Sequence, residues 1–159
     1  MSRSASNFRQ YLSLILLFVP GVLFVVLWWL YLRVLAWQFI AIGIFGVIAT
    51  IGGVLDWHFH RDPLKLQLSK KERDAEAAAL GLGGVPMFIL MWWAMMSARP
   101  TVFLIPIVLV LIYTVVAICY DEFVFHLRRC GPQETRYHRM LVFGNGLAWL
   151  AWFHFIFCR

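Results

Sequence analysis

The stretch TVFLIPIVLVLIYTVVAICYDEFVF, residues 101–125, decides the fold class of this chain. Its first 20 residues carry no charge, and Asp121 and Glu122 follow only at its end. A helix of 20 residues rises about 30 Å, which is the thickness of the hydrocarbon layer of a bilayer. This run therefore predicts a transmembrane helix with acidic residues where it leaves the membrane.

Four further apolar segments of similar length surround this run. They cover residues 11–32, 35–55, 77–96 and 140–157. Hydrophobic residues make up 62% of the 159 residues, whereas soluble domains contain about half, because they need polar side chains on their surface. We therefore predict an all-α integral membrane protein, with residues 1–159 forming a single membrane domain. It is expected to be a bundle of about five transmembrane helices.

The connections between these segments are short. Arg33 stands in a tight hairpin between the first two spans, and Arg99-Pro100 makes an equally short turn between the third and fourth. Pro132, a residue favoured in the first helical position, predicts that the last helix begins before its apolar part. The remaining loops are predicted over residues 56–76 and 126–139.

The positive charges separate onto two sides of the predicted bundle. With five crossings, one side receives the N-terminus and the loops 56–76 and 126–139, which together carry eleven of the 14 Lys and Arg residues. The other side receives only Arg33, Arg99 and Arg159. Since cytoplasmic loops are enriched in Lys and Arg, we predict a cytoplasmic N-terminus and an outside C-terminus. The bacterial inner membrane is the expected location.

The net charge of +6 lies in short segments between apolar runs. Anionic lipid head groups explain such a distribution better than nucleic acid does. Membrane lipids are therefore the predicted partner, and nucleic acid is not expected to bind.

Acidic and histidine residues recur at one spacing on the predicted cytoplasmic face. Residues four apart share a helix face, so each pair can point at one place. The four pairs are Asp56 with His60, Glu72 with Glu76, Glu122 with His126, and Glu134 with His138. If such a pair were merely a solvated surface pair, it would contribute only about 0.3 kcal/mol.

Together, imidazole and carboxylate ligands suit iron, manganese and zinc. The arrangement resembles the design of ferritin-like di-iron bundles, in which each helix donates a carboxylate or a Glu-x-x-His pair. Here the spacing is four and the bundle spans a membrane, so the likeness is one of design and not of family membership. The predicted ligands are Asp56, His60, Glu76, Glu122, His126, Glu134 and His138, with His58, Glu72, Asp121 and Asn145 as further candidates.

These residues predict a membrane-embedded, di-iron-type oxidoreductase that acts on an apolar or lipid substrate at the cytoplasmic face. An electron donor or a larger membrane complex is its expected partner. Three alternatives remain open: a zinc-dependent lipid hydrolase, a haem b protein with His126 or His138 paired to His60, and a non-catalytic accessory or assembly subunit. Neither a GxSxG motif nor the clustered histidine boxes of membrane desaturases occur in the sequence.

Overall fold

A computed structural model of the chain describes residues 26, 29, 36–61, 71, 78–126 and 131–158. Within these ranges every regular element is helical and no strand occurs. Apart from Val26 and Trp29, the predicted first span lies outside the described residues. The remainder falls into two compact units: residues 36–61 and 136–152 belong to the first, and residues 78–126, 131–135 and 153–158 to the second.

The four α-helices bounded within the described ranges are numbered here in chain order. They are α1, Trp37–Arg61; α2, Val85–Met96; α3, Leu104–Asp121; and α4, Pro132–Phe157. A π-helical turn at Ala79–Gly84 precedes α2, and a 3-10 turn at Pro100–Phe103 precedes α3. A second π-helical turn, at Glu122–His126, follows α3.

Three of the described helical stretches are long and apolar enough to cross a membrane, judged by length and composition. They cover Trp37–Asp56, Pro100–Val124 and Pro132–Phe157. The predicted third span corresponds to a shorter apolar helix, Gly81–Met96. The all-helical fold class is thus confirmed, while the count of five spans and the sidedness of the termini remain predictions.

The helix ends agree with several signals read from the sequence. α4 begins at Pro132, as predicted, because the missing N–H of proline is not needed in the first turn. α2 ends at Met96, and helical structure resumes at Pro100, so the predicted turn at Arg99 is confirmed. One boundary differs: α1 continues past the predicted span end at residue 55 and stops only at Arg61.

In the first unit, α1 packs closely against α4. A Cβ atom built at Gly52 would lie 2.6 Å from the backbone nitrogen of Leu141, and one at Gly144 would lie 2.8 Å from that of Ala49. Because residue 49 meets residue 144 and residue 52 meets the earlier residue 141, the two helices run antiparallel. Small residues permit this approach, as they do between helices in membranes.

In the second unit, α2 and α3 share a small core. Met91 and Ile107 are fully buried, and Gly83 lies so close to Thr114 that an added Cβ would be 2.6 Å from the threonine Oγ1. Ile107 is the only buried residue in 100–124 among those whose burial is described. The rest of this stretch exposes large apolar side chains, up to 74% of Ile105.

Candidate functional site

The predicted ligands are distributed over both units. Asp56, His60 and His138 belong to the first unit, together with the further candidates His58 and Asn145; Glu122, His126 and Glu134 belong to the second, together with Asp121. Glu72 and Glu76 lie outside the described residues, as do the side chains of His60, Asp121 and His126. The predictions for those side chains therefore stay predictions.

The spacing of four can be checked for three of the four pairs. Asp56 and His60 both lie in α1, and Glu134 and His138 both lie in α4, so each pair occupies one face of a single helix, as predicted. Glu122 and His126 lie instead in a π-helical turn. Such turns are rare and occur frequently at functional sites, and the α-helical spacing did not anticipate this one.

Packing in the first unit brings Asp56 to the level of His138. Gly52 and Phe59, on the same face of α1 as Asp56, both contact Tyr137 of α4. A Cβ at Gly52 would lie 2.9 Å from the Tyr137 carbonyl oxygen, and the rings of Phe59 and Tyr137 meet edge to face with centroids 6.1 Å apart. Asp56 lies between these two contacts, so it stands opposite Tyr137, the residue adjacent to His138.

Burial separates the candidates in the first unit. Solvent does not reach Oδ1 of Asp56 or Nε2 of His138, whereas the side chain of His58 is exposed. A solvated surface pair would leave its charged atoms in water. Asp56 and His138 are half-buried, and the shielding of these two atoms favours an internal role for them, so His58 becomes the weaker candidate.

In the second unit, Glu134 is the most deeply buried carboxylate that the structure describes. It has no exposed surface, and both of its oxygens are shielded. It lies in the first turn of α4, where the partial positive charge of the helix N-terminus stabilises an anion. Oε2 of Glu122, the first residue of the π-helical turn, is shielded as well.

Removing carboxylates from water costs several kcal/mol unless cations or hydrogen-bond donors compensate them. In membrane helices, such residues usually mark a functional site. The donor types present, carboxylate and imidazole, fit a transition metal. Among the side chains that the structure describes, no three His, Cys, Asp or Glu residues form a metal-binding group, so a complete ligand set remains a prediction.

Thr50, Thr114 and Asn145 are further polar residues within the apolar helices. The hydroxyls of Thr50 and Thr114 donate to carbonyl oxygens one turn earlier in their own helices, at 2.8 Å from Gly46 and 2.7 Å from Val110. Half-buried Asn145 lies seven residues beyond His138 on the same face of α4. Only Asn145 is therefore placed to extend the polar face of α4 beyond the site.

Tyr137 is a residue of this region that the sequence did not single out. The available signal was the spacing of Tyr137, Leu141 and Gly144, which is four and three and is typical of a helix-packing face. Among the described side chains, the first unit thus contains a carboxylate and an imidazole with shielded atoms, and the second unit contains two such carboxylates. The chain matches no protein-family model, no curated protein and no solved structure.

Proposed function

We propose that this chain is an integral membrane oxidoreductase of the di-iron type, which acts on an apolar or lipid substrate at the cytoplasmic membrane face. The observation that carries the proposal is the shielding of potential ligand atoms: Glu134 is fully buried, and Asp56, Glu122 and His138 are half-buried. These four are the predicted ligands, out of seven, whose side chains are described, and each keeps at least one potential ligand atom away from solvent.

The contrast with the other histidines strengthens this argument. His58 and His154 are exposed, although they lie on the same helices as Asp56 and His138. Among the side chains that the structure describes, shielded carboxylate and imidazole atoms thus occur at residues that the acid–histidine spacing identified. A bound cation would add a favourable interaction to carboxylates whose oxygens are shielded from water.

The residues have distinct roles in this proposal. In the second unit, Glu122 and Glu134 would balance the charge of a bound metal ion, and His126 would fix its geometry. In the first unit, Asp56 and His138 would supply a carboxylate and an imidazole. Iron, when bound, would activate oxygen, with electrons supplied by a donor protein or a larger membrane complex. Asn145 extends the polar face of α4 toward the apolar part of the helix, where it could orient a substrate.

An apolar substrate fits the outer surface of the helices. The stretch Pro100–Val124 exposes branched and aromatic side chains along most of its length, as a helix surrounded by acyl chains does. A hydrophobic substrate dissolved in the bilayer would therefore reach the protein laterally. The charge distribution supports a cytoplasmic site, with the N-terminus inside and the C-terminus outside in a bacterial inner membrane.

Metal analysis of protein purified in mild detergent tests the proposal. We expect about two equivalents of iron in the wild type, as in di-iron bundles. Glu134→Gln, which keeps the volume and removes the charge, and His138→Ala should both lose metal. His154→Ala is the matched control, because this exposed histidine lies on the same helix. A folded wild type without transition metal, even after reconstitution, would refute the proposal and favour an accessory subunit.

A further inference from the structure

We propose that Tyr137 is a positioning residue: it holds Asp56 at the level of His138, so that the two form a preformed pair of ligands for a divalent transition-metal ion. This inference rests on the proposed metal-dependent function and adds a residue and a mechanism to it. It concerns only the first unit, in which α1 and residues 136–152 of α4 pack against each other.

The first contact is made by the backbone of Tyr137. Its carbonyl oxygen lies opposite Gly52, at 2.9 Å from the place where a Cβ would be. Because glycine has no side chain, the backbones of the two helices approach each other one turn before Asp56. This contact sets the distance between the helices at the level of the site.

The second contact is made by the side chain of Tyr137. Its ring meets the ring of Phe59 edge to face, with centroids 6.1 Å apart and an interplanar angle of 73°. This arrangement is favourable for two aromatic rings and contributes about 0.5–1.5 kcal/mol beyond the burial of their surface. This ring contact fixes the rotation of α1 about its own axis just after Asp56.

Asp56 is therefore enclosed by two contacts to a single residue of the neighbouring helix. Gly52 is four residues before it and Phe59 is three residues after it, so all three share one face of α1. His138 follows Tyr137 directly in α4, so the contacts that place Tyr137 beside α1 also set the level of His138 along α1. The shielded atoms, Oδ1 of Asp56 and Nε2 of His138, are the kinds of atom that bind such a metal.

Cobalt(II) titration of metal-free protein tests this role, because the visible spectrum of bound cobalt reports its coordination geometry. Tyr137→Phe keeps the ring and should bind like the wild type. Tyr137→Leu should bind cobalt roughly 10- to 100-fold more weakly and with an altered spectrum, which is the usual effect of losing a residue that orients a metal ligand.

Phe153→Leu is the control. It removes a ring pair with Phe157, whose centroids are 4.6 Å apart and which lies far along the same helix. It should lower stability without changing the spectrum. Unchanged cobalt affinity and spectrum in Tyr137→Leu would overturn the proposal.

A second measurement separates this inference from the metal chemistry. In a background with the three native cysteines replaced by serine, Asp56→Cys and His138→Cys are introduced together and treated with a short bifunctional thiol reagent. Cross-linking is expected with Tyr137 present and should fall several-fold with Tyr137→Leu. If cross-linking occurs in this way but the wild type binds no cobalt, the positioning role stands and the metal-dependent function fails. If no cross-link forms, the positioning role is wrong.

Discussion

Replacement of Gly52 by alanine should change both the stability of the protein and the proposed site. The new methyl group would lie 2.6 Å from the backbone nitrogen of Leu141, 2.8 Å from Cβ of Met140 and 2.9 Å from the carbonyl oxygen of Tyr137. None of these atoms can turn away by a side-chain rotation. The helices must therefore separate by roughly 0.8 Å before the closest contact reaches an ordinary 3.4 Å.

A shift of this size exceeds the tolerance of a metal site, whose ligands must be held within about 0.5 Å. We expect Gly52→Ala to reduce metal affinity by roughly 100-fold, the loss that a displacement of about 1 Å causes in an active site. Overpacking should also lower the free energy of unfolding by about 1–3 kcal/mol. The two effects have one cause, because Asp56 lies one turn beyond the clash.

Cobalt titration measures the first effect, and thermal unfolding in detergent, followed by circular dichroism, measures the second. Gly46→Ala is the matched control on the same helix, since a Cβ there would meet nothing within 4 Å. It should bind metal normally and be as stable as the wild type or up to about 1 kcal/mol more stable, because alanine favours helices. Equal melting temperatures for Gly52→Ala and Gly46→Ala would refute the close packing of α1 and α4.

Three further predictions concern the second unit and the topology. Gly83→Ala should lower the melting temperature, because its methyl group would meet Thr114, and Thr114→Ala should restore part of the loss. An equal effect of Gly83→Ala in the wild type and in Thr114→Ala would contradict this contact. Ile107→Ala should destabilise the protein by about 2–5 kcal/mol in reversible unfolding, whereas Ile105→Ala, at an exposed position of the same helix, should have little effect. In intact cells, a membrane-impermeant maleimide should label the exposed Cys158 and not Cys119 or Cys130, which the predicted topology places toward the cytoplasm. Labelling of Cys158 that requires permeabilised cells would reverse the proposed orientation.

Much of the fold could be predicted because the sequence signals of membrane helices lie within each helical segment. An uncharged run such as 101–120 and a proline such as Pro132 act within their own segment, so helix ends near residues 96, 100 and 132 could be read without knowing any neighbour. The end of α1 was harder to place, since Trp57, His58 and Phe59 suit a helix outside the membrane as well as a loop.

For the candidate site, the sequence could predict only which residues share a helix face. Spacing alone places Glu134 and His138 on one face of α4. It does not distinguish the shielded Asp56 from the exposed His58 two residues later, because burial depends on which helix lies opposite. The role of Tyr137 depends on the register between α1 and α4, which is set by close contacts at Gly52 and Gly144. These residues are about 90 positions apart in the chain, and no local pattern connects them.

The exposed surface of α3 has a consequence for how the protein reaches its native state. Ile107 is its one buried residue among those described in 100–124, so this helix gains little from the described helices. In the membrane that its length and composition predict, acyl chains would cover most of its surface. It can therefore insert as an independent unit during synthesis and associate with the other helices afterwards, as the two-stage view of membrane protein assembly describes. Heating that separates the helices should leave α3 helical within the bilayer, so the loss of tertiary structure would precede the loss of helix content.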